Sequence, residues 1–347
     1  MADAGGRLDS MGMLDAAAGL PEQVEQAAEA AKGVAGLPDR EAIENVVVVG
    51  MGGSGIAGDV LLHAAGPFMP VPVVVVKSSV LPAFVSDASL VFAVSFSGDT
   101  DETVEAATEA AVQGAHVVAV TRGGELGRLA DAWGAPVIPV PSDICAPRAA
   151  IGALAVPPLV VLHEIGLFPG ADRWISQAVT QLKRRRDQLV GSGSLAERLA
   201  KRIGRTIPLI YGGGGVATAA ALRWKTQFNE NAKVPAFWNT QPELCHNEVA
   251  GWGQHGDLTR QAVSLIALRH DDEHPQVQRR FELVFELMEE VVASITEVRA
   301  AGEGTLAQLF DLILIGDFTS IHLALREGVD PGPVPALDHV KAGLTPR

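Results

Sequence analysis

The sequence predicts an α/β protein made of two related halves, each a parallel sheet covered by helices. Three observations predict it. Short β-branched runs recur that are apolar almost throughout, which suits parallel strands covered on both faces. Stretches of helical character separate them, as crossover connections require. A strand, glycine loop and helix over 46–62 returns as the same sequence of elements over 207–227.

The elements follow in order. The first ten or so residues are small and polar and predict no fixed structure, whereas 11–32, with its alanines and glutamates, predicts a helix. Residues 45–50, 71–77, 90–95, 115–121 and 136–141 predict the strands of the first half. Residues 51–55 predict a glycine loop, and 56–62, 101–113 and 125–132 predict helices. The most apolar stretch, 151–168, contains Pro157, Pro158, His163 and Glu164. A spanning helix needs about 20 mostly apolar residues, so a buried helix is predicted instead.

Residues 176–205 predict a helix broken at Gly191-Ser192-Gly193-Ser194. Its run Lys183-Arg184-Arg185-Arg186 reads as a solvated face. The second half then predicts a strand at 207–212, a loop at 212–215 and a helix at 216–227. Strands at 263–268 and 292–298 follow, with a helix at 276–289, a buried helix over 311–321 and a short last helix at 337–344. The boundary falls near 165–175. This predicts an N-terminal extension and helix over 1–35, a first domain over 36–168 and a second over 175–347.

Composition narrows the function. The chain has 347 residues, 48% of them apolar, and a net charge of -14. That charge opposes binding to phosphate backbones, so no nucleic-acid partner is expected. The opening segment carries early acids and no apolar core, so neither a secretory signal nor a membrane partner is expected. Two cysteines, Cys145 and Cys245, make no disulfide framework and suit a cytoplasmic setting. Cys245 adjoins His246, but neighbouring side chains diverge and no further ligands accompany them, so no metal is expected.

Two loops carry the chemistry. Gly50-Met51-Gly52-Gly53-Ser54-Gly55 follows a strand and precedes a helix, where glycines admit an anion to free N–H groups. A dinucleotide site would place an acid at the end of the second strand; Lys77 stands there instead, which weakens that reading. Ser95-Phe96-Ser97-Gly98-Asp99-Thr100 brings three hydroxyls to another strand end before a helix, the makings of a phosphate cup. Helix capping by Ser97 or Thr100 is the plainer alternative. Gly212 to Gly215 has no serine and reads as a tight strand-to-helix turn.

The segments 52–59 and 95–100 resemble the sugar isomerase domain. With Ala146-Pro147-Arg148, Asn229-Glu230-Asn231-Ala232-Lys233, His246-Asn247-Glu248 and the end to Lys341, the chain resembles the bifunctional phosphoglucose/phosphomannose isomerase family over about residues 40–345. The resemblance implies two tandem three-layer αβα sandwich domains of flavodoxin-like type, acting as a homodimer without a cofactor. It implies an aldose–ketose isomerase joining fructose 6-phosphate to glucose 6-phosphate, mannose 6-phosphate or both through an enediolate.

By the same resemblance Gly53, Ser54, Ser95, Ser97 and Thr100 hold the sugar phosphate and Glu230 is the base. Arg148 steadies the enediolate, and His246 with Lys341 assists ring opening. Lys233 and Glu248 stand at best behind these. Family members carry a threonine in an Asp-Pro-x-Pro segment that here reads Asp330-Pro331-Gly332-Pro333. Gly332 lacks that hydroxyl, so the resemblance does not extend to the preference between the two aldoses. A non-catalytic sugar-phosphate sensor is the alternative; it would keep the serine loop and need no base.

Overall fold

The structure, a computed structural model, describes residues 8–344. The predicted helix over 11–32 is in fact two, α1 (Met13–Ala18) and α2 (Leu20–Ala31), parted at Gly19. Pro21 sits in the first turn of α2, where its missing N–H costs no hydrogen bond. Next come β1 (Asn45–Val49), α3 (Gly52–Ala64), β2 (Val73–Val76), β3 (Ser89–Ser95), α4 (Asp101–Val112), β4 (His116–Thr121), α5 (Gly124–Trp133) and β5 (Val137–Pro139). These pair in parallel in the order β2-β1-β3-β4-β5. α6 (Ile151–Glu164), α7 (Ala171–Leu189) and α8 (Leu195–Ile203) follow.

The Gly-Ser repeat ends one helix and starts the next. Ser194 Oγ accepts from Glu197 N at 3.2 Å, and Glu197 Oε2 reaches back to Gly193 N at 2.6 Å. Reciprocal caps of this kind satisfy amides that the first helical turn leaves over.

The remaining elements are β6 (Ile207–Gly212), α9 (Val216–Gln227), β7 (Phe237–Thr240), α10 (Gly256–Ala262), β8 (Val263–Arg269), α11 (Pro275–Met288), β9 (Ser294–Arg299), α12 (Thr305–Arg326) and α13 (Pro335–Leu344). Their strands are parallel in the order β7-β6-β8-β9, the same winding as the first sheet with one strand fewer. Helix α12 is long and apolar enough to cross a membrane, yet its apolar stretch is buried in the fold. The chain divides into two compact units, residues 19–184 with 301–311, and residues 1–18 with 185–300 and 312–347.

In the unit of 19–184, Val47, Val49, Val91, Ala93, Val117 and Ala119 pack against Ala106, Ala107 and Ala110 of α4 and Leu126 and Ala130 of α5. The alternate residues Val46, Val48, Leu90, Phe92, Val118 and Val120 are buried on the opposite face, where α3 lies so close that a Cβ at Gly58 would meet Val75 Cγ1 at 2.7 Å. Burial on both faces is why these strands read as unbroken apolar runs. In the other unit Leu209, Tyr211, Leu265 and Ala267 pack against Val277, Phe281, Val284 and Met288 of α11.

Candidate functional site

A parallel sheet of this winding opens a crevice where strand order reverses, at the carboxyl ends of neighbouring strands. In the unit of 19–184 that point lies between β1 and β3, and both serine loops start there. The first loop is tighter than its sequence suggests. α3 begins at Gly52 (φ +52°), so Gly53 and Ser54 lie in its first turn. A Cβ at Gly50 would stand 2.9 Å from Val94 O, and one at Gly55 2.7 Å from Gly50 O. Only glycine allows helix and strand end to approach this closely. Ser54 is buried, and its Oγ accepts from Phe96 N at 3.1 Å, joining the two loops.

The second loop turns on itself. Ser95 is fully buried; its Oγ accepts from Gly98 N and donates to Thr100 Oγ1, both at 3.1 Å. Thr100 occupies the N-cap position of α4 without a capping side-chain bond, so its hydroxyl is turned to Ser95 rather than to the helix. Ser97 is exposed and its Oγ accepts from Asp99 N at 3.1 Å. Asp99 Oδ1 in turn accepts from Glu125 N at 2.9 Å. The turn is compressed at Gly98 (φ +86°), where a Cβ would fall 1.9 Å from Gly123 O.

Arg148 belongs to the same unit. It is 4% exposed, in the short turn Pro147–Ala149, and that turn lies against Gly53, whose Cβ would meet Arg148 N and Pro147 C at 3.2 Å. Two residues that the sequence did not single out fix this arrangement. Gln23 of α2 donates to Ala149 O at 2.9 Å and accepts from Gly152 N at 2.7 Å and Ala153 N at 3.1 Å. It thereby caps α6 directly after the arginine turn. Arg122 lies over the Phe96 ring, 3.8 Å from its centre, and donates to Pro141 O at 2.8 Å and Ile144 O at 2.5 Å. It ties the serine loop to the segment that leads to Arg148. The position of Arg122 after a strand end was the available signal; nothing in the sequence marks Gln23.

The other unit carries Glu230, His246 and Lys341. Glu230 is half-buried in a wide π turn, Phe228–Ala232, that continues α9. Such turns displace one residue from the regular helical stack. Its neighbours are pinned: Asn229 Nδ2 donates to Val234 O, and the buried Asn231 donates to Ser320 Oγ, each at 2.9 Å. One turn earlier, Gln227 Nε2 and the Arg223 guanidinium all donate to the buried carboxylate of Asp317, at 2.7–3.0 Å.

His246 ends a short turn, Glu243–His246, and is exposed. Two residues on, Glu248 accepts from Tyr211 Oη and Asn239 Nδ2, both at 2.5 Å, and Trp252 Nε1 donates to Tyr211 Oη at 3.2 Å. Burial, with Glu248 beside it, pushes the Tyr211 hydroxyl well above its ordinary range, so it is a fixed donor. Lys341 is exposed on α13, a helix with no buried residue.

The second unit has its own reversal point, between β6 and β8, but no anion cup. A Cβ at Gly213 would fall 2.3 Å from Glu273 Oε1, and His270 Nε2 lies 3.1 Å from Gly214 O. Glu273 is itself locked by Arg269, which donates to both of its oxygens at 2.8–2.9 Å. The Glu273 carboxylate, already paired, fills the space beside this glycine loop. Among the described residues, no three His, Cys, Asp or Glu side chains gather as a metal ligand set.

The family model of the SIS domain matches residues 41–136, and that of the bacterial phospho-glucose isomerase C-terminal SIS domain matches residues 193–344. The bifunctional phosphoglucose/phosphomannose isomerase of Caldicellulosiruptor bescii is 34% identical over 336 residues, 96% of this chain and 98% of that protein. The enzyme of the same name from Thermoplasma acidophilum is 34% identical over 303 residues, 87% of this chain and 90% of that one. Among solved structures, a phosphosugar isomerase fold from Clostridium difficile superposes with a TM-score of 0.72 at 15% identity, covering 95% of this chain and 98% of that one, a likeness of fold alone.

Proposed function

The chain belongs to the bifunctional phosphoglucose/phosphomannose isomerase family, and on that basis we propose that it interconverts fructose 6-phosphate with glucose 6-phosphate and mannose 6-phosphate through a cis-enediolate. The observation that carries the reading is the reach of the match, which takes in the serine loops, the Arg148 turn and the Glu230 turn together. A sensor would need the first of these and not the last.

In the proposed reaction Gly53, Ser54, Ser97 and Thr100 hold the phosphate oxygens through backbone N–H groups and hydroxyls. Ser95 holds Thr100 in place for this. His246 and Lys341 pass the proton between ring oxygen and anomeric hydroxyl, on C1 of the aldose or C2 of the ketose, that opening the sugar requires. Glu230 removes the proton from the carbon beside the carbonyl, C2 of the aldose or C1 of the ketose. Held on the carboxyl, that proton exchanges with solvent before one is delivered to the neighbouring carbon, while a proton moves between the two oxygens, so the substrate gains and loses no atom overall. Arg148 balances the charge that builds on those oxygens. Protonation of either face of C2 gives glucose 6-phosphate or mannose 6-phosphate. No metal takes part in these steps. We further propose that the enzyme works in the cytoplasm as a homodimer.

The test is proton NMR of the purified protein with fructose 6-phosphate, in the presence of a chelator, beside the Glu230→Gln variant. Both aldose phosphates form with the wild type and neither with the variant. Binding without turnover by the wild type would leave the sensor in its place.

A further inference from the structure

Among the described residues Lys233 is the one non-glycine residue held in the left-handed region, at φ +56°. Glycine adopts that conformation freely, whereas a side chain there carries strain. What the lysine contributes is its ammonium group. Nζ donates to three main-chain carbonyls, Asn231 O at 3.2 Å, Asp330 O at 2.8 Å and Pro331 O at 3.2 Å. The first belongs to the turn that bears Glu230; the other two lie about a hundred residues further on. Charged donors make the stronger hydrogen bonds, and three at once fix a flexible side chain.

The far end of this clamp is itself held. Asp330 Oδ1 accepts from Gly332 N at 2.9 Å and from Ser10 N at 3.3 Å. Burial would raise the Asp330 carboxyl, but these bonds from Ser10 and Gly332 and the nearby Lys233 outweigh it and keep the group below its usual range. Met11 covers Gly332 so closely that a Cβ there would stand 2.6 Å from Met11 Cγ. The strap 330–332 is therefore gripped by residues 10–11 on one side and by Lys233 on the other.

We propose that Lys233 is a positioning residue for the isomerase reaction: its ammonium ties the Glu230 turn to the 330–331 strap and holds the carboxylate in one place relative to the substrate carbons. The proposal rests on Glu230 being the base. A turn freed of this tie keeps its residues and loses its aim, and a displacement of about 1 Å at the reacting groups costs on the order of 100-fold in rate.

Lys233→Gly separates the clamp from the backbone, because it removes the ammonium while easing the left-handed conformation. The experiment compares Lys233→Gly, Lys233→Arg and Glu230→Gln by steady-state kinetics with fructose 6-phosphate and by thermal unfolding. Lys233→Gly is expected to unfold cooperatively near the wild-type temperature, the eased backbone offsetting part of the lost hydrogen bonding, to lose roughly 10- to 100-fold in kcat, and to change KM by less than about threefold because other residues hold the phosphate. Lys233→Arg is expected to recover part of kcat, since a guanidinium can reach the same carbonyls. A Lys233→Gly enzyme within about twofold of wild-type kcat, beside an inactive Glu230→Gln, would overturn this proposal alone. A KM rising in step with the loss of kcat would overturn it too, by making Lys233 a binding residue. An active Glu230→Gln would remove the base assignment and this proposal with it.

Discussion

Replacing Asp317 by asparagine tests what holds the Glu230 turn. Asp317 is 5% exposed and its partner Arg223 is 1% exposed. The carboxylate accepts from Arg223 Nε at 3.0 Å, Arg223 Nη2 at 2.7 Å and Gln227 Nε2 at 2.8 Å. Asparagine keeps the shape but turns one accepting oxygen into a donor, which faces an N–H. It also takes away the negative charge that balances the guanidinium. Breaking a buried ion pair from one side costs about 3–5 kcal/mol, a large part of the roughly 5–15 kcal/mol that holds a typical protein folded. Replacing both partners by apolar residues, as in Arg223→Met with Asp317→Leu, removes the uncompensated charge and is expected to recover most of that loss. Urea unfolding followed by tryptophan fluorescence reads the effect directly, because the buried Trp224 donates to Leu312 O at 2.7 Å beside the pair. The Asp317→Asn midpoint falls with the slope unchanged, and kcat falls with it because Gln227 leads into the Glu230 turn. A cost below about 1 kcal/mol, or a double variant as unstable as the sum of the single ones, would show that the pair does not hold this turn.

Three further outcomes follow from the same structure. Tyr211→Phe removes the donor to Glu248 and the acceptor of Trp252, so it costs about 1–3 kcal/mol in urea unfolding; it also lowers kcat more than it raises KM, because Glu248 holds the segment that bears His246. Gly332→Thr must displace Met11, so it lowers stability by about 1–3 kcal/mol in thermal unfolding, and Met11→Ala in the same chain restores part of it. Burial lowers the pKa values of His63 and His322 below 6.5, Lys77 adding to the effect at His63 and the acids Asp59 and Glu197 opposing it only in part. The unfolded chain therefore binds more protons as pH falls through about 6.5, and stability declines from there down to the folded-state values. Melting temperature measured from pH 7.5 to pH 5 should fall, and His322→Asn should flatten the decline.

The strands were legible because burial on both faces writes itself as unbroken valine and alanine, as in Asn45–Val49 and Ser89–Ser95. The same rule hid β7: Phe237–Thr240 is an edge strand, none of its residues fully buried, and only four residues long. The expected loop 51–55 became the first turn of α3 because glycines at 50, 53 and 55 let backbone atoms meet where any side chain would collide. Similarly, Ser95 and Thr100 could be placed near each other from spacing, but the hydrogen bond between their hydroxyls needs coordinates. The supports of the site were the least legible. Gln23 acts on α6 from about 130 residues away, and Lys233 on carbonyls about a hundred residues off, with main-chain partners that leave no trace in residue type.

In the proposed reaction Glu230 carries a proton between neighbouring carbons of fructose 6-phosphate. This role is tested most directly by turnover in D2O, with the products resolved by proton NMR. Wild-type protein is predicted to give glucose 6-phosphate and mannose 6-phosphate carrying deuterium at C2, and Glu230→Gln to give neither product nor exchange at C1 of the ketose. Deuterium exchange that persists in Glu230→Gln would rule Glu230 out as the base, since another group would then be moving the proton.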